Sequence, residues 1–212
     1  MKKNNIYRSA AQVTVFSTIE KGLSFFYRIV LTRFIGAEGI GIYQLCLTVF
    51  AVFLTMSSSG VPVTVSRLMA KSNAQGDIKS KHAAVTAGIV LTLAVTVPVA
   101  LIMLFAKNAF SFLFADKRCL NLFIILLPGL ILTSVYAVIR GSFWGNKQFL
   151  PYSVIELLED ALMVFLGIAL VYGVSDPVSG AQNAIIAVLI SYIFSFCASL
   201  FWYFKKGGRL VS

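Results

Sequence analysis

Two cations seven residues apart, Lys21 and Arg28, stand inside an otherwise apolar stretch, and Glu20 precedes the first of them. At about 100° per residue, seven steps along a helix return to within about 20° of the starting direction. An ammonium and a guanidinium therefore share one helix face, with Ser17 and Ser24 beside them. A mobile point charge next to a planar fork of donors suits the oxygens of an anion such as a phosphate. A second set, Glu156, Glu159 and Asp160, is spaced i, i+3, i+4 and also falls on one helix face. Three carboxylates so close repel one another, so a compensating cation or proton is implied, with Lys21, Arg67 and Arg140 as candidate partners. The set reads either as a proton- or cation-coupling site or as a structural salt-bridge cluster.

Other chemistry finds little support. His82 has no second ligand near it in sequence, which leaves helix-end solvation as its expected role. Cys46, Cys119 and Cys197 are too few and too unevenly spaced for a disulfide framework or a metal cluster. No nucleophile–base constellation, glycine-rich phosphate loop or metal-ligand spacing occurs, so no enzyme activity and no cofactor are expected.

The elements that must hold these groups are membrane helices. Of the 212 residues, 58% are hydrophobic and 12% charged, and the mean hydropathy is +0.88. Apolar runs of roughly 20 residues match a bilayer core about 30 Å thick, and six are read at 13–35, 41–69, 83–106, 119–139, 153–173 and 184–204. The expected fold is an all-α integral membrane lobe of six transmembrane helices, one unit over 1–212, with both termini inside. Counting about 1.5 Å per residue from Val13, Lys21 lies about 12 Å and Arg28 about 22 Å into the first span. Its twelve large apolar residues contribute about 0.3 to 0.6 kcal/mol each, about 4 to 7 kcal/mol in all, while each central charge costs about 2.5 to 3.5 kcal/mol. Three charges cancel that gain. Either Lys21 is ion-paired with Glu20 or with a carboxylate of the fifth span, or Lys21 and Arg28 form the cationic wall of a cavity for an anionic substrate.

The net charge of +10 is explained by topology. With the N-terminus inside, twelve Lys and Arg fall on the cytoplasmic side, four on the outer side and two within the membrane, which satisfies the positive-inside rule. The basic residues are accordingly expected to meet anionic lipid heads, and no nucleic-acid partner is expected. The basic N-terminus could open a secretory signal, but Glu20 and Lys21 interrupt any such core, so the first span is expected to remain as a helix. No internal repeat between the two halves is evident. Pro62, Pro98 and Pro128 fall inside apolar runs, and Gly60 with Pro62, following three serines, marks the strongest candidate for a helix break and hinge. Pro151 falls in the first turn of the fifth span, where proline is expected. The alternating Phe110, Phe112 and Phe114 before Asp116 are read as an interfacial anchor.

Four stretches carry a family resemblance. Arg33-Phe-Ile-Gly-Ala-Glu-Gly-Ile-Gly-Ile-Tyr-Gln44, between the first two spans, resembles the hallmark of the stage V sporulation protein B and polysaccharide-exporter branch of the flippase superfamily. That superfamily also holds the lipid II flippases and the multidrug and toxin extruders. Lys21-Gly22-Leu23-Ser24-Phe25-Phe26-Tyr27-Arg28 resembles its first helix, Ser59-Gly60-Val61-Pro62-Val63-Thr64-Val65-Ser66-Arg67 the end of its second, and Arg140-Gly141-Ser142-Phe143-Trp144-Gly145 the turn after its fourth. The resemblance covers essentially the whole chain. It implies one of two six-helix lobes that flank a central cavity and carry a lipid-linked, pyrophosphate-bearing saccharide across the bacterial plasma membrane by alternating access. On this resemblance Lys21 and Arg28 face the pyrophosphate, and the second lobe comes from another copy or a separate chain. Asp160 departs from the family, whose relatives often carry a base there. The alternatives are a multidrug-extruder-like cation antiporter and a non-transporting scaffold or gene fragment.

Overall fold

The computed structural model describes residues 3–58, 60–105 and 117–210, the side chains of 3–10 and 117 excepted. Its first helix, α1 (Lys3–Ser58), contains 56 residues but is interrupted at Gly36, whose φ of 68° and ψ of −177° are open essentially to glycine alone. The rings of Tyr27 and Tyr43 lie 6.4 Å apart, whereas sixteen residues of straight helix would separate them by about 24 Å. The chain thus doubles back at Gly36. Its apolar part, Ala11–Ser58, has 48 residues, about 72 Å of helix, enough for two crossings of a core about 30 Å thick.

Five further helices follow: α2 (Val61–Gln75), α3 (Ile78–Phe105), α4 (Lys117–Gly145), α5 (Phe149–Val171) and α6 (Pro177–Lys205). The 57–62 stretch does interrupt the helix, because α1 ends at Ser58 and α2 restarts at Val61 with Pro62 in its first turn. Pro98 and Pro128, by contrast, sit within continuous helix. Polar caps set two starts outside the apolar runs. Asp77 accepts the Ser80 N–H at 3.1 Å and Asp176 accepts the Ser179 N–H at 2.8 Å, and hydrogen bonds from these serines hold both carboxyls below the usual aspartate range. The Arg140–Gly145 stretch, expected to be a turn, is instead the last turns of α4. The expected anchor at Phe110, Phe112, Phe114 and Asp116 lies outside the described residues.

The described residues contain six helices, and α1, α3, α4 and α6 are apolar and long enough to span a bilayer. The 23-residue α5 is long enough too, but carries Glu156, Glu159 and Asp160. One apolar core joins α1, α4 and α6 through Leu31, Phe50, Phe123, Leu126, Ile185 and Val188. A second lies around Val65, Met69, Val85, Val138, Ile139 and Phe143.

Where α2 crosses α4, Gly141 and Gly145 let two backbones touch. A Cβ at Gly141 would meet the Pro62 Cα at 3.0 Å and its carbonyl oxygen closer still, and one at Gly145 would meet the Ser66 oxygen at 2.7 Å. The four-residue spacing on both helices is that of a GxxxG crossing, in which small residues permit close backbone approach.

The helix ends form two rims. On one, Arg118 pairs with Glu38 at 2.8 Å and Gly39 lies against the Pro177 carbonyl. On the other, Asn73 donates to Gly145 O at 3.2 Å, and the Arg209 N–H donates to His82 Nδ1 at 3.1 Å. His82 is therefore half-buried and partnered, not simply solvated at a helix end.

Candidate functional site

The carboxylate triplet of α5 opens into a cleft of about 510 Å³, walled also by both arms of α1, the start of α2, and α4 and α6. Its charged lining is Glu20, Arg140, Glu156, Glu159 and Asp160. The i, i+3, i+4 spacing has placed all three α5 carboxylates on one wall, and Glu20 comes to them from α1. Of the proposed counter-cations, Arg140 takes the role. Its Nη1 lies 3.2 Å from Glu156 Oε1, with 31% and 22% of the two side chains exposed. The guanidinium carbon stands 5.3 Å from the centre of the Trp144 ring and 5.9 Å from that of Tyr152, so aromatic faces and a carboxylate hold it together. Four carboxylates against one arginine leave the cleft with an excess of acidic groups. Arg67 is exposed on α2 and does not line it. The break contributes Ser58 and Pro62 to the wall, while Gly60 stands outside it.

Lys21 and Arg28 line an adjoining cleft of about 420 Å³, together with Ser24 and Phe25. Glu20 and Asp160 line both spaces, so the two are neighbours across a shared acidic border. Both cations are exposed, and among the described residues neither has a carboxylate oxygen within 4 Å. The ion pair considered for Lys21 is thus not formed in the isolated lobe.

Sequence reasoning missed the aromatic wall. Tyr136, Arg140 and Trp144 recur at i, i+4 and i+8 on α4 and all line the larger cleft, with Tyr192 facing them from α6. The spacing around Arg140 was a usable signal. Tyr136 is 7% exposed, and its hydroxyl has no hydrogen-bond partner among the described residues.

A family profile described as "Polysaccharide biosynthesis protein" matches residues 6–210. The chain belongs to that family. It is 27% identical to stage V sporulation protein B of Bacillus subtilis (strain 168) over 197 residues, covering 88% of this chain and 37% of that protein. It is also 21% identical to the lipid II flippase MurJ of the same organism, over 76% of this chain and 31% of that one. The chain therefore spans about a third of the length of these relatives. Among solved structures, an outward-facing multidrug resistance MATE family transporter of the MOP superfamily superposes with a TM-score of 0.76 at 20% identity, over 96% of this chain and 46% of the other. A MOP superfamily transporter from Pyrococcus furiosus, described as having a binding pocket of reversed polarity, gives 0.76 at 19% identity, over 96% and 46%. At such identities the likeness speaks for fold: the six helices resemble one lobe of these transporters. With its apolar helices, the family member is a multi-pass bacterial membrane protein.

Proposed function

We propose that this lobe, joined to a second six-helix lobe, translocates a lipid-linked, pyrophosphate-bearing saccharide or cell-wall precursor by alternating access. The supporting observation is the cleft wall of α1, where Lys21 and Arg28 stand exposed on one face with no carboxylate within 4 Å among the described residues. Cations that deep in a membrane need water, protein or an anion, and a pyrophosphate supplies charge to both. Their paired presence also speaks against a cationic substrate. Gly60 and Pro62 are the hinge of this reading, at the break that borders the larger cleft. On this reading the rim of Lys79, Lys81, Lys205, Lys206 and Arg209 faces the cytoplasm, with both termini inside and membrane lipid, not nucleic acid, as the surrounding partner.

The test reconstitutes the chain with its second lobe, a further copy or separate chain, and follows a fluorescent polyisoprenyl-pyrophosphate saccharide as it becomes accessible on the far side of a vesicle. The Lys21→Ala, Arg28→Ala double variant should insert normally, since removing central charges eases insertion, and should lose most transport. Normal transport by a well-expressed double variant would refute the reading.

A cation antiporter is the second reading, favoured by the acidic excess of the larger cleft. It predicts the opposite selectivity: Glu159→Gln with Asp160→Asn would abolish efflux of an organic cation, and the Lys21, Arg28 double variant would leave it intact.

A further inference from the structure

On the rim where α3 begins and α6 ends, a separate pocket of about 240 Å³ lies between the first turn of α3, the α4–α5 turn and the segment after α6. Lys81 reaches it from α3 and Lys206 from the end of α6, with Met69 and Phe143 among its apolar lining, and among the described residues no Asp or Glu lines it. The Lys206 Nζ also stands 5.9 Å from the centre of the Trp202 ring, and two lysines at the wall of one small space repel each other unless an anion comes between them. Neither is in an ion pair among the described residues. Asp77, next in sequence to the pocket's Ile78, accepts both the Ser80 N–H at 3.1 Å and its hydroxyl at 2.6 Å.

His82 also lines the pocket, and its Nδ1 accepts the Arg209 N–H at 3.1 Å. That bond assigns the proton of the neutral ring to Nε2, leaving a donor on the other side of the imidazole. The Arg209 carbonyl in turn accepts the Tyr203 hydroxyl at 3.2 Å. The segment after α6 is thus tied by both backbone groups of one residue to two residues of the pocket wall. A site held in this way is built before any ligand arrives.

Position decides the ligand class. Helix ends of a spanning bundle lie at the boundary between hydrocarbon and headgroups; the exposed Ile78 (67%) lines the pocket, and the exposed Phe204 (48%) follows the pocket's Tyr203 in sequence. Lys79, Lys205 and Arg209 add positive charge around the rim. Basic pockets between spanning helices at this depth suit anionic headgroups. We infer that the pocket binds the phosphate of an anionic phospholipid, gripped between Lys81 and Lys206 with His82 as a further donor. This site is separate from both clefts, and the inference stands whichever substrate they serve.

The experiment measures thermal unfolding of the purified chain in a neutral detergent, titrated with phosphatidylglycerol, phosphatidylcholine or inorganic phosphate. Phosphatidylglycerol should raise the midpoint and phosphatidylcholine should not, as expected for a ligand that binds the folded state alone. In the Lys81→Ala, Lys206→Ala variant the half-saturating concentration should rise about thirtyfold, from the usual contribution of two lysines at an anionic surface. Lys81→Gln with Lys206→Gln gives the same reading should the alanine pair fold poorly. Lys79→Ala with Lys205→Ala removes equal charge beside the pocket and should lose far less. Equal losses in the two pairs would mean diffuse surface attraction and overturn the site. Full reproduction of the effect by inorganic phosphate would overturn the lipid assignment, and so would an equal response to phosphatidylcholine.

Discussion

Gly141→Ala tests the α2–α4 crossing on which the wall of the larger cleft depends. The added Cβ would stand 3.0 Å from Pro62 Cα and C and closer to its carbonyl oxygen, where ordinary contact is 3.4–4 Å. Neither partner is a side chain that can rotate away, so the two helices must part by roughly half an ångström or more. Overpacking of that kind costs about 1 to 3 kcal/mol, against a gain of about 0.5 to 1 kcal/mol for replacing a helical glycine. The net expectation is a loss of about 1 to 2 kcal/mol. Gly41 is the control, since nothing lies within 4 Å of its added Cβ and only the helical gain of about 0.5 to 1 kcal/mol remains. The two alanine substitutions should therefore differ in sign. Equilibrium unfolding of the purified chain, followed by circular dichroism as a denaturing detergent replaces a mild one, measures both. Adding Gly145→Ala should cost less in the Gly141→Ala background than alone, because the first change has already opened the crossing. Gly141→Ala that is as stable as Gly41→Ala would show that the close approach does not matter.

Gly36→Ala should cost about 1 to 3 kcal/mol in the same assay, although no atom lies within 4 Å of the new Cβ, because its φ of 68° and ψ of −177° strain any side chain-bearing residue; an unchanged midpoint would refute the strain. Arg140→Met removes the one cation among four carboxylates of the larger cleft and should cost about 2 kcal/mol, whereas Glu156→Gln keeps an acceptor and relieves repulsion, so its unfolding loss should be smaller; the reverse order would refute the pairing argument. In a chain lacking Cys46, Cys119 and Cys197, a cysteine at Ser175 should react with an impermeant reagent in intact cells and one at Gln75 should not; the opposite pattern would invert the topology.

The all-helical membrane fold was legible because lipid selects apolar runs of spanning length. Helix ends were harder. The apolar run ascribed to the fourth span stops at Ile139, yet α4 continues to Gly145, because its final turns are packed against α2 and need not be apolar. Likewise Asp77 and Asp176 start α3 and α6 from polar positions before the expected runs. The carboxylates of α5 could be grouped by spacing alone. That Glu20 joins them, and that Arg140 is their partner and not Lys21 or Arg67, depends on how three helices are set against one another, which no local pattern contains. The glycines of α4 stood in plain view, but a small residue acquires meaning only from the backbone across from it.

The first arm of α1 shows that one side of the lobe calls for water or protein beside it. Taking Lys21 as zero and about 100° per residue, Arg28 falls at about −20°, Leu31 and Tyr27 at about −80° and −120°, and Val15, Phe26 and Ile19 at about 120° to 160°. Leu31 and Tyr27 are 1% and 3% exposed in the core, whereas Val15, Phe26 and Ile19 are 57%, 54% and 50% exposed. The arm thus has a packed side, an apolar side fit for lipid, and a charged side carrying Lys21 and Arg28. Were the charged side also turned to lipid, Lys21 and Arg28 at about 2.5 to 3.5 kcal/mol each would offset most or all of the roughly 4 to 7 kcal/mol gained by the arm's large apolar residues. The three-sided arrangement is stable only where that last side meets water or another lobe. The energetics of one helix therefore ask for an aqueous cavity or a partner at the place where the cations stand.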